Sequence, residues 1–150
     1  MTKHLFSLAT LLLIACNWDE NTSYAGLEWS PLSETAMGWE SAMEHCEAQG
    51  ARLPTVTELR KIIINCPGST YGGACPASHP DCLEGDCSTA DCFCDGSASS
   101  YSALGDSKTT GLWSSSSRSD YATFAWEVGF GNGGVAVIVK GAHAHARCVK

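Results

Sequence analysis

The chain lacks any apolar run long enough to cross a bilayer. Its longest uncharged, mostly apolar stretch is Leu5 to Ala15, well short of the about 20 residues a helix needs to span a hydrocarbon core. Positive charge is equally scarce. Nine Lys and Arg stand against 16 Asp and Glu, and none of the nine falls between Ile62 and Ser107. So acidic a surface excludes nucleic acid and other polyanions as natural partners. Catalytic signatures are missing too: serine is abundant, yet no Gly-x-Ser-x-Gly elbow occurs and no histidine stands in a triad context. The expectation is therefore a non-enzyme with no cofactor and no internal repeat.

What is present begins at the N-terminus. Lys3 supplies a short positive start to the apolar stretch, which ends in Leu13-Ile14-Ala15-Cys16. Charge, apolar length and a terminal small residue follow the order of a secretory signal peptide. The last four residues resemble the bacterial lipobox, which implies cleavage before Cys16 and a diacylglycerol on its thiol. Residues 1–15 are then a lipoprotein signal peptide, and the mature chain of 135 residues suffices for one domain with a core. Loss of Lys3 leaves 8 basic against 16 acidic residues, a formal charge of −8. The cysteines give an arithmetic check. Nine is odd for an exported chain. Assigning Cys16 to lipid leaves Cys46, Cys66, Cys75, Cys82, Cys87, Cys92, Cys94 and Cys148, which can form four disulfides in an oxidising compartment.

Residues 16–26 are polar and aperiodic and read as a lipidated tether of at most about 35 Å, which keeps the domain near its membrane. The domain spans 27–150. Leu27 to Leu32 predicts a first strand with Trp29 buried. Trp39, Ala42, Met43 and Cys46 recur at i, i+3, i+4 and i+7, one face of a helix, and Gly50 is placed to end it in a left-handed cap. Thr55 and Glu58 form a capping-box pattern after Pro54, predicting a second helix from Val56 to Asn65 that buries Leu59, Ile62 and Ile63. Residues 66–111 carry six cysteines and no periodicity, a loop that cross-links must order. Beyond it the pattern becomes β. Leu112 to Ser116 forms a strand running into a Ser-rich turn. Phe124, Trp126, Val128 and Phe130 alternate as a half-buried strand; Gly131-Asn132-Gly133-Gly134 turns; Val135, Val137 and Val139 return. His145 to Val149 predicts a last strand carrying Cys148.

Five pieces in order resemble the Lcl C-terminal domain family, a bacterial exported module of largely unknown function related to the C-type-lectin-like and formylglycine-generating-enzyme-like folds. They are Trp39-Glu-Ser-Ala42-Met-Glu-His-Cys46, Gly50-Ala-Arg52-Leu53-Pro54-Thr55 with Glu58-Leu59, Leu112-Trp113-Ser114-Ser115-Ser116, Ala125-Trp126-Glu-Val128 with Phe130, and Arg147-Cys148-Val149. The resemblance implies an α+β fold, two helices packed on a small, twisted, mostly antiparallel, C-type-lectin-like sheet. It also implies a Cys46–Cys148 disulfide, leaving the other six cysteines to pair within the insertion in any of 15 ways. The insertion is longer and richer in cysteine than the family leads one to expect.

Candidate chemistry is thin. Arg52, beside Leu53-Pro54-Thr55, either contacts a ligand or uses its forked donors to fix the loop between the helices, and its position favours the second role. Trp113 and Trp126 can stack on a sugar, although alternation places both in the core. Asp81, Glu84, Asp86, Asp91 and Asp95 offer oxygen ligands for Ca²⁺ without EF-hand spacing. His143 and His145 would share one strand face, but no third metal ligand accompanies them.

The expectation is a non-catalytic cell-envelope lipoprotein whose lectin-like domain binds glycan or a partner protein. Asn17, where an aspartate would favour inner-membrane retention, directs it to the outer membrane. Two features weigh against calcium-dependent or sulfated sugars: no Glu-Pro-Asn or Trp-Asn-Asp motif occurs, and the mature charge is −8. The alternative is a purely structural envelope or attachment protein. An enzyme of the formylglycine-generating type comes last, because four disulfides would consume its reactive thiols. No feature fixes an oligomeric state.

Overall fold

The computed structural model describes residues 22–66, 94, 98–107 and 109–150. The lipobox with Cys16, most of the tether, the acidic loop and Cys75, Cys82, Cys87 and Cys92 lie outside the described residues. The architecture is α+β, with two helices, two antiparallel sheets and two disulfides among the described residues.

The first sheet is a hairpin of β1 (Thr22–Tyr24) and β2 (Leu27–Trp29). Part of the expected tether is thus ordered. Ala25 and Gly26 both take positive φ, 52° and 81°, the backbone a two-residue hairpin turn demands. The indole of Trp29 donates back to the Tyr24 carbonyl at 3.0 Å. The strand predicted to run to Leu32 stops at Trp29, because Ser30 and Ser33 turn their amides to the Cys148 and Ala146 carbonyls.

Helix α1 (Trp39–Glu47) buries Ala42 and Cys46, the face the 3.6-residue spacing marks. Past its end Gly50 sits at φ +64°, the left-handed conformation expected of it. Helix α2 (Val56–Lys61) opens on a complete capping box: Thr55 Oγ1 accepts from the Glu58 amide, and the Glu58 carboxylate accepts from the Thr55 amide at 2.7 Å. It ends four residues before the predicted Asn65. Tertiary pairing takes over there, as the Ile62 carbonyl accepts from Ala103 and the Ile64 amide donates to Tyr101, each at 2.8 Å. Leu59, Ile62 and Ile63 are buried all the same.

The second sheet orders β3 (Gly111–Ser117), β4 (Phe124–Gly129) and β5 (Gly134–Val139) side by side, antiparallel throughout. Contrary to a half-buried reading of β4, this sheet is covered on both faces. Leu112, Trp126, Val128 and Val135 pack with Val56 and Leu59 of α2, Trp29 and Tyr101. On the opposite face Trp113 and Ala125 pack with Ala42 and Cys46 of α1, Leu53 and the C-terminal Ala144, Ala146 and Cys148. Small residues on that face disguise it in the sequence, since Ala125 is as fully buried as Trp126. A register shift between Trp113 and Ser117 brings the buried Ser114 hydroxyl onto the Trp126 carbonyl at 2.8 Å.

The predicted last strand is not continuous. Residues 144–150 run between several partners, each met by an isolated bridge: Met37 with Ala144, Leu112 with His145, and both Trp29 and Arg52 with Val149. Changing partner at nearly every residue prevents a ladder, yet it ties the chain end to β2, β3 and the segment after α1. Cys46 is disulfide-bonded to Cys148 in the middle of this arrangement, both residues fully buried. Alongside, the buried Asp106 carboxylate receives Arg147 at 2.8 Å and the Ser102 hydroxyl at 2.7 Å, while Arg147 also donates to the Ser30 carbonyl at 2.6 Å. Such a pair is stable only because its remaining lone pairs and protons are also bonded.

The rear of the insertion is ordered against the sheet. The Tyr101 amide donates to the Phe130 carbonyl, and Ser102 bridges Ile63. A second disulfide joins Cys66, just after α2, to Cys94. The Cys94 amide donates to the Asn132 carbonyl at 2.7 Å, pinning this bridge onto the β4–β5 turn. At that turn Gly133 has φ +63°, and a side chain there would strike the Cys94 sulfur.

Candidate functional site

The polar turn between β3 and β4 carries the one aromatic cluster that faces solvent among the described residues. Backbone bonds from the Arg118 amide to the Phe124 carbonyl and from the Phe124 amide to the Tyr121 carbonyl, both 3.0 Å, close the turn. Arg118 forms a bidentate pair with Asp120, Nε to Oδ1 at 2.6 Å and Nη2 to Oδ2 at 2.8 Å. The same guanidinium lies 5.2 Å from the Tyr121 ring centre and 6.0 Å from that of Phe124. Tyr121 meets Phe124 edge to face at 6.1 Å. Tyr121 is nevertheless 59% exposed.

The patch extends across the sheet. Val139, 49% exposed, lies opposite Phe124 in the β4–β5 register. The following residue belongs to the α1 side of the sheet: the Lys140 ammonium sits 4.0 Å above the Trp39 ring, whose indole donates to the Ser114 carbonyl at 2.7 Å. The β3–β4 turn itself presents a small aromatic cluster edged by the Asp120 carboxylate and the Arg118 guanidinium. The Arg118 guanidinium holds the Asp120 carboxyl below its ordinary range, so the acid is ionised at neutral pH. A flat exposed ring beside anchored charged groups can stack on an apolar face of a ligand and hydrogen-bond to its rim.

The residues singled out in the sequence occupy other places. Arg52 is bonded through both terminal nitrogens to Glu58, each at 2.7 Å, and through Nη1 to the Leu53 carbonyl, so it fixes the entry to α2. That hydrogen bond is the main cause lowering the Glu58 pKa, and reciprocally it raises that of Arg52. Trp113 and Trp126 have no exposed surface and cannot stack on a sugar; the Trp113 indole instead donates to the Met37 carbonyl at 2.7 Å. His145 directs Nδ1 at the Ser33 carbonyl, 3.0 Å away, and His143 is exposed; neither lies in a strand that would align their rings. Among the described residues no three His, Cys, Asp or Glu side chains lie close enough to hold a metal ion. The calcium candidates Asp81, Glu84, Asp86, Asp91 and Asp95 lie outside the described residues.

Glu127 is the other notable carboxyl. It lies on the α1 face of β4 beside Gly111, where burial raises its pKa, and a side chain on Gly111 would collide with it. Neither Tyr121 nor Glu127 stands out by periodicity. An aromatic inside a polar turn, Arg118-Ser-Asp-Tyr121-Ala, is itself the available signal, because no alternating strand explains it.

No family model matches the chain, and no curated protein matches it.

Proposed function

We propose that this chain is a non-catalytic envelope lipoprotein, held to the outer membrane through a lipid on Cys16, whose C-type-lectin-like domain of the Lcl C-terminal kind binds glycan. The observation that carries the binding role is the exposed Tyr121 ring on a turn closed by backbone bonds, stacked with Arg118 and flanked by the ionised Asp120. Pyranose rings present apolar faces to aromatic side chains and hydroxyls to carboxylates and guanidiniums, which matches that set. Neutral or basic sugars suit it better than sulfated ones, given the acidic chain.

Two disulfides among the described residues are consistent with export into an oxidising compartment. Among the same residues no helix is long and apolar enough to cross a membrane. A structural attachment protein is the second reading, favoured by the way the C-terminal segment is bridged and disulfide-bonded into the domain.

A glycan array probed with residues 17–150, with Ca²⁺ and with chelator, tests the proposal. The expected result is binding of uncharged glycans that Tyr121→Ala lowers at least about tenfold, a loss of the size expected for removing an aromatic anchor. Glycan binding that is indifferent to Tyr121→Ala overturns the Tyr121 site, and no glycan bound at all leaves the structural reading in possession. Loss of binding in chelator would point to the acidic loop instead.

A further inference from the structure

The exposed apolar surface of the β3–β4 turn does not end at Tyr121. Its ring meets Phe124 edge to face at 6.1 Å, and Phe124 lies directly opposite Val139 in the β4–β5 register. Side chains of a directly opposed pair share one face of the sheet, with Cβ atoms about 4.5–5.5 Å apart. Tyr121 and Val139, 59% and 49% exposed, are the exposed large apolar side chains among the described residues, and half-buried Phe124 links them. Residues 119–123 are exposed throughout. The strip thus has two footholds, one aromatic and one aliphatic, on the order of 10 Å apart.

The polar groups beside the strip are held in place. Arg118 donates through Nε and Nη2 to the two oxygens of Asp120, one each, and its guanidinium lies against both rings. A carboxylate oxygen has two lone pairs, so each Asp120 oxygen keeps one for a further donor. The ion pair is neutral as a unit. It offers an acceptor without net charge, and an incoming ammonium would meet the guanidinium beside the carboxylate.

These features select among sugars. An unsubstituted hexose has one apolar face, which Tyr121 satisfies, and a rim of hydroxyls. Hydroxyls laid on Phe124 and Val139 would lose water without gaining a partner. A free amine in the same place arrives as a cation next to Arg118. Sulfate and carboxylate substituents meet an acidic chain. An acetamido group satisfies both needs, with a methyl for the aliphatic foothold and an amide N–H for the carboxylate.

We propose that the sugar bound at this turn is a 2-acetamido hexose: its apolar face stacks on Tyr121, its N-acetyl methyl lies on Phe124 and Val139, and its amide N–H donates to Asp120. Val139 then sets specificity and Tyr121 sets affinity. The proposal rests on the glycan reading and adds to it the class of sugar.

Three β-1,4-linked trimers test it, because they differ only in the substituent at carbon 2: hydroxyl in cellotriose, ammonium in the chitosan trimer and acetamido in the chitin trimer. Calorimetric titration of the full chain is expected to show the acetamido trimer bound at least about tenfold tighter than either of the others, the preference that one well-placed methyl gives. Val139→Thr keeps the branched shape and strand preference of valine but puts a hydroxyl under the acetyl methyl. It should bring the preference within about threefold and leave the affinity for cellotriose unchanged. Asp120→Ala, in the exposed turn, should likewise reduce the preference, and it decides if Val139→Thr does not fold. Tyr121→Ala should weaken all three trimers. Equal or tighter binding of either other trimer, lost in Tyr121→Ala, overturns the acetamido assignment and leaves the glycan site standing. A preference that survives both Val139→Thr and Asp120→Ala in folded protein overturns it too, as does array binding through Tyr121 confined to sugars without an acetamido group. No binding of any glycan removes this proposal together with the reading it rests on.

Discussion

Two carboxyls with opposite environments give opposite pH signatures. Glu58 accepts from Arg52 and from the Thr55 amide, which lowers its folded pKa below the unfolded value. Its stabilising contribution is therefore complete above the unfolded pKa and disappears as pH falls through the folded one. Glu58→Gln keeps the capping acceptor and removes only the charge that faces the half-exposed Arg52, so it should cost at most about 1 kcal/mol at pH 7, and the difference should disappear as pH falls through the lowered Glu58 pKa. Glu127 is the reverse case: burial raises its pKa, so ionisation opposes folding as pH rises past the ordinary carboxylate range. Glu127→Gln should raise the melting temperature at pH 7 relative to the unaltered chain and lose that advantage in acid. Thermal unfolding of both variants across pH checks the pair, and parallel curves would contradict the assignment.

Among the elements, the β4–β5 turn has a double duty. Gly133 supplies a positive φ and leaves room for the Cys94 sulfur, so the turn is also the seat of the Cys66–Cys94 bridge. Gly133→Ala should destabilise by more than the about 1 kcal/mol that a left-handed alanine alone costs. In a Cys66→Ala, Cys94→Ala background the excess should vanish, because the collision is with that sulfur. A double-mutant cycle by denaturant unfolding measures the difference. The same scale shows what the sequence left hidden. Helix starts were legible, since a capping box is a local device, complete in Thr55 and Glu58. The end of α2 was not, because residues 101–103, about 40 positions away, take the Ile62 and Ile64 backbone. Nor was the α1 face of β4 legible, where Ala125 and Glu127 read as polar or neutral alternates: Ala125 is packed by a helix and the chain end, and Glu127 is largely buried beside Gly111.

At the scale of the whole molecule, the Cys46–Cys148 bridge closes a loop of 102 residues between a helix of the N-terminal half and the last turn of chain. Loop-closure entropy assigns it about 4 to 5 kcal/mol on a chain-entropy model. Replacing both cysteines by alanine should lower stability by an amount of that order and release residues 144–150 first, visible as lost amide protection at Ala144, Ala146 and Val149. Undiminished protection there would show that the bridges to Met37, Leu112 and Arg52 hold the segment unaided.

The sequence by itself determined the local devices and the composition: the helix cap, the alternation of Phe124 to Val139, the acidic balance and the count of nine cysteines. Each depends on neighbours within a few residues or on composition, and both are written in order along the chain. Only the tertiary structure decided that Trp113 and Trp126 are core while Tyr121 faces water. It alone decided that Asp106 meets Arg147 and that the predicted last strand is divided among several partners. It also showed one sheet edge closed by the C-terminal segment and β5 left as the other. These outcomes rest on which distant segments come together, and burial, unlike a cap or an alternation, is a property of the assembled surface rather than of any stretch of sequence.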